Sequence, residues 1–331
     1  MRRSSNKHFG HHIALTDLTE QDGRLADMRL VYWDIRFSNL CNLRCRSCGH
    51  IFSSNWYDDQ VSMVKEAGYD ADAWRKQNAR INFAGRNEDD IWQQLEPKIP
   101  DLEQVYFAGG EPLIMEEHYR LLRRLLDQGL THVRLIYNTN FSTMSYKKSN
   151  VLEMWREFES VSVGASLDAM GPKAEYIRHG TKWADVERNR EEMMLICPRV
   201  DFYISPTLSI LNAHHLPEFH RNWVARGFIR PPDLNVNILQ VPEHYRIDVL
   251  PHQHKVDVQE SYLEHLEWLR PHDGLTRATV GFESAIKFMM GDDKSALIPK
   301  FLEKTAQIDR FRGEDFSTTF PELRGLHETA S

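Results

Sequence analysis

Leu30-Val31-Tyr32-Trp33-Asp34-Ile35-Arg36-Phe37, then Ser38-Asn39-Leu40, then Cys41-Asn42-Leu43-Arg44-Cys45-Arg46-Ser47-Cys48: this stretch decides how the chain is read. The first segment mixes β-branched and aromatic residues in partial alternation, which is the pattern of a strand. The last gathers three of the four cysteines at C-x3-C-x2-C spacing on the loop leaving that strand. Three thiolates are one short of a closed tetrahedral cysteine site, so the group they bind keeps an open position. Four cysteines with three clustered do not make a disulfide framework, and they point to a reducing, cytoplasmic setting.

The whole chain sets the outer bounds. Its 331 residues can bury a large core, as one big α/β domain or as one domain with a smaller cap. With 41 basic and 48 acidic residues the net charge is -7, so no general nucleic-acid surface is expected. No apolar run of membrane-spanning length and no secretory signal is present, so no membrane association is expected.

Working outward from the cysteine loop, residues 1–28 are polar and read as an N-terminal arm. The tract Lys7-His8-Phe9-Gly10-His11-His12 within it has metal-binding composition, although a loosely ordered terminus is the ordinary behaviour. After the cysteines, Ser53 to Gly68 and Asn87 to Leu95 read as helices. From Pro100 a regular alternation begins. Strands are expected at Gln104–Ala108, His132–Tyr137, Val161–Leu167, Val200–Leu208 (broken by Pro206) and Leu234–Leu239. Helices are expected at Met115–Gln128, Ser145–Phe158, Trp183–Ile196 and Leu216–Arg226.

Six strands with intervening helices imply βαβ units and a parallel sheet, here a partial (β/α)6 barrel over residues 29–241. Residues 242–331 read as a mainly helical extension covering the barrel, with helices at Tyr262–Leu269, Phe282–Met290 and Ile298–Phe311 and breaks at Pro251, Pro271 and Gly291. The unusual polar residues all fall just after strands: Cys41 to Cys48, Gly109 to Glu111, Asn138 to Asn140, and Asp168. Carboxyl ends of parallel strands are where barrels and open α/β sheets both place their sites.

The triad admits two chemistries. A tetrahedral zinc site needs a fourth ligand, and His50 is the nearest candidate; that reading gives a non-catalytic structural module. An iron–sulfur cluster on three cysteines leaves one iron open. The setting, one loop after a strand in a βα repeat, favours the cluster over a zinc ribbon.

These residues carry a resemblance. Cys41-Asn-Leu-Arg-Cys45-Arg-Ser-Cys48 after the first strand and Gly109-Gly110-Glu111-Pro112 after the second resemble the signature and amino-group motifs of the radical S-adenosylmethionine superfamily. Asn138 to Asn140, Ser166 to Asp168 and Glu175 to Trp183 follow in fitting order, and the whole resembles the SPASM/Twitch-like branch. The resemblance implies one [4Fe-4S] cluster on Cys41, Cys45 and Cys48, with S-adenosyl-L-methionine chelating the fourth iron. It implies Gly109, Gly110 and Glu111 at the cofactor's amino group, Asn140, Ser166 and Asp168 at its polar rim, Arg178 on its carboxylate, and Leu208 or Ile210 flanking adenine. It also implies reductive cleavage to a 5'-deoxyadenosyl radical that takes a hydrogen from a peptide, protein or small-molecule substrate. An electron donor such as flavodoxin or ferredoxin is implied as partner. Two departures stand out. Ser47 sits where the superfamily often has an aromatic residue, and no cysteine follows Cys197, so a cysteine-ligated auxiliary cluster is excluded in the tail.

Plainer readings accompany several of these residues. Cys197 is a candidate hydrogen-atom donor, but a buried inert thiol is the default. Asp168 has the alternative of capping a turn, and Arg178 that of pairing with Glu175 at helical spacing. His214-His215 and His252-x-His254 have metal-like spacing with surface or capping roles as the default, and Trp56, Trp74 and Trp92 are expected to pack against the barrel.

Overall fold

β1 (Tyr32–Ile35) alternates exposed and buried residues, with Trp33 and Ile35 turned into the core. The protein is described by a computed structural model that covers residues 9–13, 19–25, 28–87, 89–273 and 277–330. Lys7 and His8 of the expected arm lie outside the described residues.

The cysteine loop contains β2 (Arg44–Cys45). β3 (Gln104–Phe107), β4 (Arg134–Thr139), β7 (Val161–Ala165) and β9 (Asp201–Ile204) then join β1 in one parallel sheet of order β1-β3-β4-β7-β9. Between β4 and β7 a small hairpin forms from β5 (Ser145–Tyr146) and β6 (Ser149–Asn150). β8 (Arg178–His179) pairs with β2, and β10 (Thr207–Leu208) pairs in parallel with β11 (Asn237–Ile238). A parallel bridge from Ile204 to Leu234 joins that last pair to the sheet, so six strand positions run in one direction. All five residues of β7 are buried, as expected for a strand covered on both faces.

One face of the sheet carries the core. Val105, Phe107, Leu135, Tyr137, Val163 and Phe202 pack there against Tyr119, Leu122 and Leu125 of the helix Glu116–Asp127 and against Trp155 of the helix Val151–Glu157. Leu135, Val163 and Ile204 are fully buried, and each such side chain contributes about 1.5–3 kcal/mol by leaving water. The acidic first turn of the helix Glu116–Asp127 suits its amino-terminal dipole, and Asn150 caps the next helix by accepting from Leu152 N.

Two expectations are corrected. Ser145–Phe158 is not one helix: its first six residues form the β5–β6 hairpin, with Lys147 at φ 52° in the turn, and the helix begins only at Val151. Pro271 does not break the tail helix, which runs over His252–Asp273. It lies within the last turn, so it removes a single closing hydrogen bond. The helices Arg277–Met289 and Ile298–Arg312 follow, and Gly313 at φ 66° ends the latter in left-handed backbone.

Candidate metal and cofactor site

The cysteine loop is held from two sides. On one, the turn after it supplies Ser53 Oγ to Leu43 O (2.6 Å), Asn55 Nδ2 to Asn42 O (2.8 Å) and Trp56 Nε1 to Cys45 O (2.7 Å). Trp56, expected only to pack, is therefore a positioning group of the loop. On the other side, Cys45 lies opposite Arg178 in the β2–β8 ladder, and Arg46 N donates to Ile177 O at 2.8 Å. The loop leaves the carboxyl end of β1 with Cys45 buried, Cys41 half-buried and Cys48 exposed.

Burial pushes the Cys41 thiol up to about 12, and the neighbouring Cys45 adds to this. Cys45 is drawn below the ordinary thiol range, first by its hydrogen bond with Cys48 and then by Arg178 and Arg312. Among the described residues, the three thiol sulfurs do not all lie within 4.8 Å of one another. A single tetrahedral zinc holds its sulfurs about 3.8 Å apart, given a Zn–S bond of about 2.3 Å. The three thiols are therefore spread more widely than the ligands of one zinc ion. His50, the candidate fourth zinc ligand, is turned instead against the edge of Trp74, with ring centroids 5.1 Å apart.

The loop after β3 lies directly against the cysteine loop. Gly110, at φ 50°, approaches so closely that a Cβ there would sit 2.2 Å from Leu40 O, and Glu111 N donates to Leu40 O at 2.8 Å. Gly109, at φ 76°, packs on the Arg36 side chain. Both positions require glycine for space and for backbone sign. The Glu111 carboxylate is buried and accepts from Leu113 N (3.1 Å), Thr139 Oγ1 (2.7 Å) and Asn140 N (2.6 Å). Burial still raises it to about 7, because three neutral donors do not replace water around a charge. Asn140 Nδ2 donates to Asn42 Oδ1 at 2.9 Å, which ties the end of β4 to the cysteine loop. Asn42 has no signal of its own in the sequence beyond lying between two cysteines.

After β7, Ser166 N donates to Thr139 O at 2.7 Å. Asp168 is buried and engages Arg178 through Nη2 to Oδ1 (3.0 Å) and Nε to Oδ2 (2.8 Å). Arg178 Nη1 also reaches Cys45 Sγ at 3.7 Å. Only the Nη2–Oδ1 contact is a hydrogen bond; Nε and Oδ2 form a close ion pair without one, so Asp168 holds Arg178 short of a full bidentate grip. Nη1 and Nη2 each carry one further N–H. The alternative pairing with Glu175 is not formed; Glu175 Oε1 accepts from Trp183 N. Asp168 Oδ1 accepts from Thr207 N at 2.7 Å, which sets the buried Leu208 one residue beyond this anchor.

A buried charge network locks the loop to the tail. Arg46, between Cys45 and Cys48, has a side chain only 1% exposed and is paired with Asp309 and, at 2.5 Å, with Glu314. Its guanidinium lies 3.6 Å from the Tyr176 ring centre, and Tyr176 OH donates to Asp309 at 2.8 Å. His179 Nδ1 meets Glu314 at 2.6 Å and Nε2 meets Arg44 at 2.6 Å; Arg44 then reaches Asp59, which also pairs with Arg312. Sequence reasoning missed this network because its partners lie up to 268 residues apart. Its one local trace is two arginines set among the three cysteines.

Cys197 is not brought to this site. It closes the helix Trp183–Ile196 just before β9, at the amino edge of the sheet, beside Trp155, Phe158 and Val200. Burial raises its thiol to about 11. The cysteine loop lies at the opposite edge of the sheet, so this position supports the default reading of Cys197 as a buried inert thiol over that of a hydrogen donor. Of the histidine pairs, His214 and His254 meet at 3.2 Å, while His215 Nδ1 contacts Glu218 at 3.2 Å.

The face of the sheet away from the core is polar near the loop. Asp34 pairs with Arg36 at 2.5 Å, and Asn138 Nδ2 donates to Tyr106 OH at 2.6 Å. Gly164 leaves the space between Asn138 and Tyr203, where a Cβ would come within 2.9 Å of both. Arg277 lies over the Tyr203 ring at 4.5 Å.

The fold and site define an α/β protein with a three-cysteine loop at the carboxyl edge of a parallel sheet. No family model matches the chain, and no curated protein matches it. Among solved structures, it is similar to a native anSMEcpe with bound AdoMet (17% identity, TM-score 0.39, 73% of this chain and 59% of that one). It is also similar to Streptococcus suis SuiB bound to the precursor peptide SuiA (14%, TM-score 0.45, 82% and 52%). A third is TYW1 with a lysine-pyruvate adduct bound (13%, TM-score 0.35, 73% and 71%). The chain thus spans little more than half the length of anSMEcpe and SuiB. Likenesses this distant describe resemblance only, and the functional reading rests on the residues.

Proposed function

We propose that the chain is a radical S-adenosylmethionine enzyme in which Cys41, Cys45 and Cys48 hold a single [4Fe-4S] cluster. The observation that carries this is the convergence of the three thiols, Gly109 to Glu111, Asn140 and the Asp168–Arg178 pair at one carboxyl edge, joined by hydrogen bonds and the Arg178–Cys45 contact. When bound, the cluster and S-adenosylmethionine supply a 5'-deoxyadenosyl radical able to take a hydrogen from carbon.

The chain's own residues position and insulate that chemistry. Gly109 and Gly110 bring backbone close to the amino end of the ligand, and Glu111, raised to about 7, gains an ammonium partner that favours its charged form. Arg178 sets a fixed positive charge beside Cys45 and keeps one N–H on each terminal nitrogen for the ligand's carboxylate. Ser166 and Asn140 stand at the polar rim, and Leu208 offers an apolar surface to the base. The polar wall of Asp34, Arg36, Tyr106, Asn138 and Tyr203 suits a polar substrate, either a peptide or protein side chain or a small metabolite. A flavodoxin- or ferredoxin-type donor would approach the exposed Cys48 side, where Ile51 and Phe52 are 61% and 69% exposed. Among the described residues no helix is long and apolar enough to cross a membrane; the clustered free thiols are the ground for a reducing, cytoplasmic setting.

Iron and acid-labile sulfide analysis after anaerobic reconstitution tests the reading. It predicts four irons per chain and an electron paramagnetic resonance signal, in the reduced state, that changes on adding S-adenosylmethionine. One zinc per chain, with no sulfide, would establish the structural-module reading instead.

A further inference from the structure

We propose that His11, His12 and Glu103 form a second, mononuclear metal site for a zinc-like divalent ion, at the amino edge of the sheet. His11 Nε2 lies 2.9 Å from Glu103 Oε2, and His12 Nε2 lies 2.6 Å from Oε1. The three ligand atoms all fall within 4.8 Å of one another, which no other histidine, cysteine or acidic trio among the described residues achieves. Two adjacent histidines ordinarily point apart; here a single helical turn at 9–13 brings their rings to 4.1 Å and aims both at one carboxylate.

The platform is rigid. Glu103 N donates to Val31 O at 2.9 Å and Glu103 O accepts from Arg134 N at 2.9 Å, so the residue is pinned between β1 and β4. Two imidazoles, a carboxylate and water form the donor set of open zinc sites, with bonds of about 2.0–2.2 Å that hold ligand atoms roughly 3.3 Å apart. The two short contacts go to different oxygens of Glu103 and the three ligand atoms lie within 4.8 Å, so closing on one ion needs a shift of up to about 1.5 Å between ligands. Side-chain exposures of 57% and 23% for the histidines and 34% for Glu103 give water access to the remaining position. The site stands at the opposite edge of the sheet from the cysteine loop. Its ion would staple the N-terminal segment across the β1–β4 edge, whichever chemistry the loop performs.

The test uses the full chain with Cys41, Cys45 and Cys48 changed to Ala, so that the thiols do not compete. Zn2+ alone is titrated by calorimetry, and Co2+ by visible absorption. The expected result is one ion per chain, with nitrogen/oxygen-type Co2+ bands and no thiolate charge transfer. His11→Ala, His12→Ala and Glu103→Gln should each weaken binding at least about tenfold. As a second measurement, zinc retained by cluster-loaded wild-type protein after desalting should fall equally in those three variants. Absence of saturable binding, or binding unchanged in the three variants, overturns the proposal and leaves the cysteine-loop reading untouched.

Discussion

Arg46→Met is the perturbation that the architecture makes most informative. The arginine sits between two cysteines yet spends its charge on the tail, meeting Asp309 and Glu314 in a pocket where its own exposure is 1% and theirs are 13% and 15%. Methionine fills similar volume, so packing is largely kept and the charge is what is lost. Removing one member of a buried ion network typically costs about 3–5 kcal/mol, because the remaining charges are left uncompensated. Here the acids keep other partners: Glu314 keeps His179, and Asp309 keeps Tyr176 OH and Phe316 N. This places the electrostatic loss near the lower end, about 3 kcal/mol. The lost stacking over Tyr176 adds about 1–2 kcal/mol. Equilibrium urea unfolding should therefore show a loss of about 4–5 kcal/mol. A double-mutant cycle with Glu314→Gln should return a coupling of at least about 1 kcal/mol. The reconstituted variant should also retain less iron after desalting, since the loop has lost its anchor to the tail. A loss under about 1 kcal/mol with no coupling would falsify the view that the tail clamps the cysteine loop.

Further outcomes follow from neighbouring residues. Gly110→Ala should lower stability by at least about 1–2 kcal/mol, the cost of left-handed backbone, because Leu40 O stands 2.2 Å from the new Cβ; calorimetric unfolding measures it, and a neutral result contradicts the close approach of the two loops. Glu111 is raised in the folded protein from 4.5 to about 7, so its protonated form is the stable one and the fold loses up to about 3 kcal/mol as pH rises between those values. Glu111→Gln should remove that part of the slope in urea midpoints taken from pH 4.5 to 7.5, and an unaltered slope would reject the assignment. Glu314 behaves oppositely: burial works to raise it, but the His179 hydrogen bond and Arg46 hold it below its usual range, so its stabilisation is present near neutrality and lost on acidification; Glu314→Gln should flatten the acid limb. Cys197→Ala should leave 5'-deoxyadenosine formation unchanged while lowering the melting temperature, whereas lost product turnover with cleavage intact would return Cys197 to the mechanism.

The parts legible in the sequence were those written locally. The runs at Leu30–Phe37, Gln104–Ala108 and His132–Tyr137 bury one face of a parallel sheet and Val161–Leu167 both, and apolar patterning signals this. The triad and Gly109-Gly110-Glu111 were legible because thiolate spacing and paired glycines have few other uses. The β5–β6 hairpin was not, since Ser145 to Asn150 carries helix-compatible polar residues and its turn depends on Lys147 adopting left-handed backbone without glycine. The Arg46 clamp was not, because long-range ion pairing leaves no periodicity. Arg178 was expected at this edge, but its pairing with Asp168 was not legible, since nothing local in the sequence links the two residues.

The most direct test of the central claim is the yield of 5'-deoxyadenosine from S-adenosylmethionine by anaerobically reconstituted, dithionite-reduced protein, measured by liquid chromatography with mass detection. The account predicts 5'-deoxyadenosine in the wild type and none above background in the variant with Cys41, Cys45 and Cys48 changed to Ala. Equal yields from both proteins, or none from a wild type carrying four irons per chain, would contradict it.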